Sequence, residues 1–111
     1  MRIGTDIVSV PRLADQMREL GDEFLARVFT AGELADCAGR VESLAARWAA
    51  KEAVIKAFGW ELSRVDLTDI EVVGTGRPSV VLHGRPEVVS DLSMSHDGEY
   101  AIAVVLVEAP Q

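Results

Sequence analysis

The chain has 111 residues, of which 49% are apolar and one is cysteine, and it carries a formal charge of −7. Such a length is that of one domain, burying roughly two-thirds of its unfolded surface and leaving apolar area for partners. The acidic balance excludes a general nucleic-acid binder. No run of about 18 uninterrupted apolar residues offers a membrane span, and no membrane partner is expected. Cys37, being alone, excludes an internal disulfide and fits a reducing cytoplasm; it reads as a small helix-face residue rather than a nucleophile. The first residues also lack a signal-peptide pattern.

In chain order, the alternation of Ile3, Thr5, Ile7 and Ser9 against Gly4, Asp6, Val8 and Val10 predicts a strand over about 2–8. Ser9 caps a following helix, with Pro11 at its second position, Leu13, Met17 and Leu20 on its buried face and Gly21 at its end. A short second helix is predicted over 22–28. Thr30 and Glu33 have capping-box spacing, so a third helix starts there and runs to about Ala38. After the break at Gly39-Arg40, a long helix is expected over about 43–58, terminated by Gly59. Residues 60–66 read as a connecting loop, 70–73 and 79–83 as strands joined by the turn Gly74–Pro78, and Glu87–Val89 as at most a short helix. A last hairpin, 92–95 with 100–107, turns at Asp97-Gly98. Its second strand is apolar on both faces, as a central strand is. The fold class is α+β: an antiparallel sheet packed against a long helix.

Several residues do not fit a purely structural reading. Leu44, Trp48 and Ile55 fall on one helical face, and Glu52 projects into the middle of it. A carboxylate left dry and unpaired there would cost several kcal/mol. Lys56, four residues on, offers an ordinary surface pair, but it stands near the edge of the stripe. Asp6 lies inside a short apolar strand; alone, it reads as a solvated strand-end acid. Together, Asp6 and Glu52 fit a hard divalent cation such as Mg²⁺, whose remaining positions go to waters and a pyrophosphate. Lys51, Lys56 and Arg47 would neutralise phosphate oxygens; the plainer alternative for them is a solvated helix face. His96, between Ser95 and Asp97 at the hairpin tip, is a candidate phosphate ligand or base. His83 reads as structural.

The segments Gly4-Thr5-Asp6-Ile7, Phe29-Thr30-Ala31-Gly32-Glu33-Leu34, Arg47 to Gly59, Gly76-Arg77-Pro78 and Ser93-Met94-Ser95-His96-Asp97 occur in order along nearly the whole chain. In these the sequence resembles the short phosphopantetheinyl transferases of the holo-acyl-carrier-protein synthase type. The resemblance implies that fold, assembled as a homotrimer with sites between subunits. It implies transfer of phosphopantetheine from coenzyme A to a serine of an apo acyl carrier protein, releasing adenosine 3′,5′-bisphosphate. Mg²⁺ would be held by Asp6 and Glu52. Lys56, Arg47 and His96 would lie near phosphates, with Lys51, Gly59 and Ser95 on the coenzyme A side and Gly76, Arg77 and Pro78 towards adenine. Glu52, Asp6 through a bound water, His96 and Asp97 are all candidate acceptors for the serine proton. Arg12 and Arg18, with Arg27 nearby, would meet the carrier, although Glu19, Asp22 and Glu23 dilute that basic face. The carrier, of fatty-acid or polyketide assembly, is left open. The segment between Pro78 and Ser93 is shorter than in the family and has room for two helical turns at most. Two other readings remain: a Mg²⁺-dependent phosphohydrolase of coenzyme A or a nucleotide, and a non-catalytic assembly subunit.

Overall fold

The computed structural model describes residues 1–108. Strand β1 (Arg2–Ser9) runs into helix α1 (Val10–Val28), whose start is fixed by the Ser9 hydroxyl accepting the Arg12 amide. Gly21, at φ 70° and ψ −157°, bends α1 where two helices were predicted. Helix α2 (Ala31–Cys37) opens on a complete capping box: Thr30 Oγ1 accepts the Glu33 amide and Glu33 Oε1 accepts the Thr30 amide. Helix α3 (Val41–Phe58) begins two residues earlier than the sequence reading and ends at Gly59 in the left-handed region. Two single 3₁₀ turns, Leu62–Arg64 and Leu67–Asp69, lie in the following connection. Strands β2 (Ile70–Val73) and β3 (Ser79–Leu82) form one antiparallel hairpin. Strands β4 (Val89–Asp97) and β5 (Tyr100–Val107) form the other.

The main sheet has the order β1-β5-β4, all antiparallel, so β5 is central as its apolar composition predicts. The short helix expected around Glu87–Val89 does not form. Pro86 removes an amide, and Val89 instead pairs with Val107 at the end of β5, extending β4 by three residues over the predicted strand.

Helix α3 crosses the inner face of this sheet and is also covered by α1, α2 and β2. It is therefore buried almost all round rather than along one stripe. Ala45, Ala46, Ala49, Ala50, Ala53 and Ala57 are all buried, and their small side chains let the strands approach closely. Larger residues close the two ends. Leu13, Phe24, Phe29 and Leu44 pack at one, and Val54, Phe58, Ile70 and Val105 at the other. Each such side chain contributes about 1.5–3 kcal/mol by leaving water.

Candidate active site

The approach of β1 to α3 is set by Gly4. A Cβ there would stand 2.1 Å from the Ala53 carbonyl oxygen and 2.9 Å from the Ala57 Cβ. Two residues on, and on the same face of the strand, Asp6 faces α3 opposite the small Ala103 of β5. Glu52 comes to meet it from α3. The two carboxylates line one open cavity of about 310 Å³, with Ser9, Arg12, Gln16 and Trp48 around them.

Each acid has one specific partner. Trp48 Nε1 donates to Glu52 Oε1 at 3.1 Å, and the indole is held by Phe24 and the edge of Phe29. Lys56 Nζ lies 2.8 Å from Asp6 Oδ1 and donates also to the Thr5 carbonyl at 3.1 Å. Burial, and then the charge of Asp6, push the Glu52 pKa up against the opposing effects of Trp48 and Lys56. The bond to Asp6 raises the pKa of Lys56. Two carboxylates against one ammonium leave an excess negative charge, and the pair gains from a further cation. No third His, Cys, Asp or Glu joins them in a metal-holding group among the described residues. Such a donor set suits Mg²⁺, which keeps waters and phosphate oxygens in its remaining positions.

A second cavity, of about 370 Å³, lies on another side of α3. It is lined by Arg47, the turn Gly76-Arg77-Pro78, and Ser95 and His96 from β4. His96 is exposed as the penultimate residue of β4, opposite Ala101. The predicted site residues thus fall into two groups: Asp6, Glu52, Lys56 and Arg12 in one, Arg47, residues 76–78, Ser95 and His96 in the other. Asp97, the last residue of β4, is exposed and lines neither cavity.

Two expectations need correction. Lys51 is not available to phosphate: it is fully buried, its Nζ donating to the Leu67 and Ile70 carbonyls at 2.9 and 2.6 Å and pairing with Glu33 at 2.7 Å. Its position, one residue before Glu52, turns it about 100° round the helix and away from the acid pair, and desolvation lowers its pKa despite the Glu33 charge. Arg47 borders the second cavity, but the residue is only 5% exposed and its guanidinium donates to the Val72 and Gly74 carbonyls, so it holds the turn rather than offering a free cation. Gly59 caps α3 and borders a separate hollow beside Trp60, Arg64 and Arg85. Arg18 on α1 stays exposed, pairing at the surface with Asp15 one turn away. Cys37 is buried, with its pKa raised by desolvation, and His83 pairs with Glu71 at 2.9 Å, as the structural readings of both require.

Three contributors escaped the sequence reading. Gly4 was noticed only as part of a motif, Gln16 gave no signal, and Glu33 was read as a cap although it also carries a buried charge. For Glu33, the signal available was an acid on α2 and two bases, Arg47 and Lys51, set among the alanines of α3.

An antiparallel sheet wrapped on a buried helix, with two acids and a lysine at one open cavity, defines a small α+β protein with an acidic site beside its central helix. A profile of the 4′-phosphopantetheinyl transferase superfamily matches residues 2–105, and the chain belongs to that superfamily. It is 44% identical over 120 residues to the holo-[acyl-carrier-protein] synthase of Gloeobacter violaceus, covering 96% of this chain and 91% of the relative. It is 42% identical to that of Koribacter versatilis, covering 95% of each. The structure is similar to that of Helicobacter pylori holo-[acyl-carrier-protein] synthase in complex with coenzyme A, with a TM-score of 0.87 at 30% identity over 96% of this chain and 99% of the other.

Proposed function

We propose that this protein transfers the 4′-phosphopantetheine group of coenzyme A to a serine hydroxyl of an apo acyl carrier protein, releasing adenosine 3′,5′-bisphosphate. The observation that carries the reading is the meeting of Asp6 and Glu52 in one open cavity, with Lys56 on Asp6, in a chain whose relatives bear that activity in their names. Mg²⁺, held by Asp6 and Glu52, would offset the charge of the pyrophosphate and of the departing bisphosphate. Lys56 has an N–H beyond those given to Asp6 and Thr5, and that N–H serves a phosphate oxygen. The serine oxygen attacks the phosphorus that bears pantetheine. The bond from that phosphorus to the bridging oxygen breaks, and the electron pair leaves on the bisphosphate. The serine proton passes to an acceptor, for which Glu52 and Asp6 stand beside Lys56, and His96 and Asp97 lie on the hairpin beyond.

The turn Gly76–Pro78 and His96 serve the nucleotide side of coenzyme A. Because they border a different cavity from the acid pair, a complete site brings the acid pair of one subunit against the turn of another. The outer face of the main sheet supports such an assembly. Ile3, Ile7 and Ile102 stand 67%, 60% and 43% exposed on it, with Ile7 paired to Ile102 across β1 and β5. A homotrimer fits this arrangement. Arg12, at the mouth of the acid cavity, meets the carrier.

Intact-mass measurement of apo carrier proteins after incubation with coenzyme A and Mg²⁺ tests the reading. The expected result is a gain of one phosphopantetheine group. Release of bisphosphate at the same rate without any carrier would replace the transferase with a hydrolase.

A further inference from the structure

Strand β2 has a strand partner on one side only. On its other edge the carbonyls of Ile70, Val72 and Gly74, alternate residues, turn towards α3. A buried strand edge must find partners for these groups, and here side chains supply them. Lys51 Nζ donates to the Ile70 carbonyl at 2.6 Å, and Arg47 donates to those of Val72 and Gly74. The Val72 amide donates to Glu33 Oε2 at 2.9 Å. The other oxygen of Glu33 receives both Lys51 Nζ at 2.7 Å and the Thr30 amide at 2.9 Å. Glu33 and Lys51 are fully buried. One carboxylate therefore ties the start of α2, the middle of α3 and the free edge of β2, and Gly74 at the end of that edge opens the turn that lines the cavity of Arg47 and His96.

We infer that Glu33 and Lys51 are positioning residues for coenzyme A: by holding the free edge of β2 they set the turn Gly74–Pro78 at the height the nucleotide requires. The inference rests on the proposed coenzyme A reading of that cavity. Neither side chain reaches the ligand; their effect passes through the β2 backbone.

The test compares Glu33→Gln, and the double variant Glu33→Gln/Lys51→Met, with the parent. The single variant leaves a buried ammonium without its counter-charge and risks misfolding. The double variant removes both charges together. Expected for the folded double variant is a rise of about tenfold in KM for coenzyme A, with kcat and the carrier KM within about twofold of the parent. Amide hydrogen exchange over residues 70–78 quickens while that of β5 does not change. An unaltered coenzyme A KM with parental exchange at 70–78 overturns the inference. So does an equal loss in kcat and both KM values, which is general structural damage. If the parent itself transfers nothing, the functional reading fails on its own account. The exchange pattern and calorimetric titration with coenzyme A then decide the positioning role.

Discussion

Glu52 is held in a state its surroundings disfavour. Burial and the Asp6 charge raise its pKa from the ordinary 4.5, so the folded chain binds that proton more tightly than the unfolded chain does. Stability is therefore lost as pH rises from the ordinary glutamate value through the raised one. Glu52→Gln keeps an acceptor for Trp48 and removes the charge. In a chelator at neutral pH the variant should melt above the parent, and the gap should close as the pH falls below about 4. Adding Mg²⁺ should raise the melting temperature of the parent alone, and transfer by the variant should fall by ~10²-fold or more. Melting curves with and without Mg²⁺ across pH check this; identical Mg²⁺ responses would remove the metal assignment. The two nearby lysines separate stability from activity. Lys51→Met strands the buried Glu33 carboxylate and should cost about 3–5 kcal/mol in denaturant melts. Lys56 is exposed, so Lys56→Met should cost less than about 1 kcal/mol while transfer drops sharply. A parental rate for Lys56→Met would leave its phosphate role without support.

At the scale of elements, the contact of β1 with α3 decides whether the acids meet. Gly4→Ala places a methyl group against the Ala53 carbonyl, a backbone atom that cannot swing aside. Overpacking of this kind costs about 1–3 kcal/mol and lifts β1, with Asp6, off the helix. Loss of the Mg²⁺-induced rise in melting temperature, in a chain that still folds, is the expected reading. An undiminished Mg²⁺ response would mean that the close approach is dispensable. The elements themselves were largely legible because their signals are local. Ser9, the Thr30–Glu33 box and Gly59 mark helix ends through bonds spanning a few residues, and the apolar run of β5 announces a central strand. Periodicity failed at α3, where alanine rather than spacing determines burial. Leu44 and Trp48 pack in one cluster and Ile55, farther along the helix, in another, and the helix is buried on its other faces as well, so the stripe did not single out the buried side, although Glu52 does open on a cavity. The roles of Arg47 and Lys51 were illegible for a related reason. Their partners include the carbonyls of Ile70, Val72 and Gly74, 19 to 27 residues away, along an edge whose need for donors exists only once β2 has been left without a second neighbour. Val88 and Val89 were misread likewise, because the end of β5 that Val89 pairs with lies far along the chain.

For the whole molecule, the division of the site is the decisive property. The acid pair and the turn Gly76–Pro78 flank α3 from different directions, and on the proposed reading one pyrophosphate ligand must reach both. A second subunit resolves this if the outer face of the main sheet is where copies meet. That face is apolar along two paired rows, Ile3 and Ile7 on β1 against Leu106 and Ile102 on β5, while its β4 row carries Asp91, Ser93, Ser95 and Asp97. An assembly burying the isoleucines therefore leaves the polar row at its rim, near the hairpin of His96. Ile102→Glu tests the arrangement without touching either cavity. The residue is already 43% exposed in the subunit, so the variant should fold with a near-parental melt at low concentration. Light scattering should find the variant monomeric and the parent trimeric, because a buried glutamate at the proposed interface has no counter-charge among the isoleucines. Coenzyme A binding and transfer should be lost together, and both should fall with dilution in the parent. A monomeric parent with full transfer would require one subunit to bring both cavities to a single ligand, and the between-subunit site would have to be abandoned.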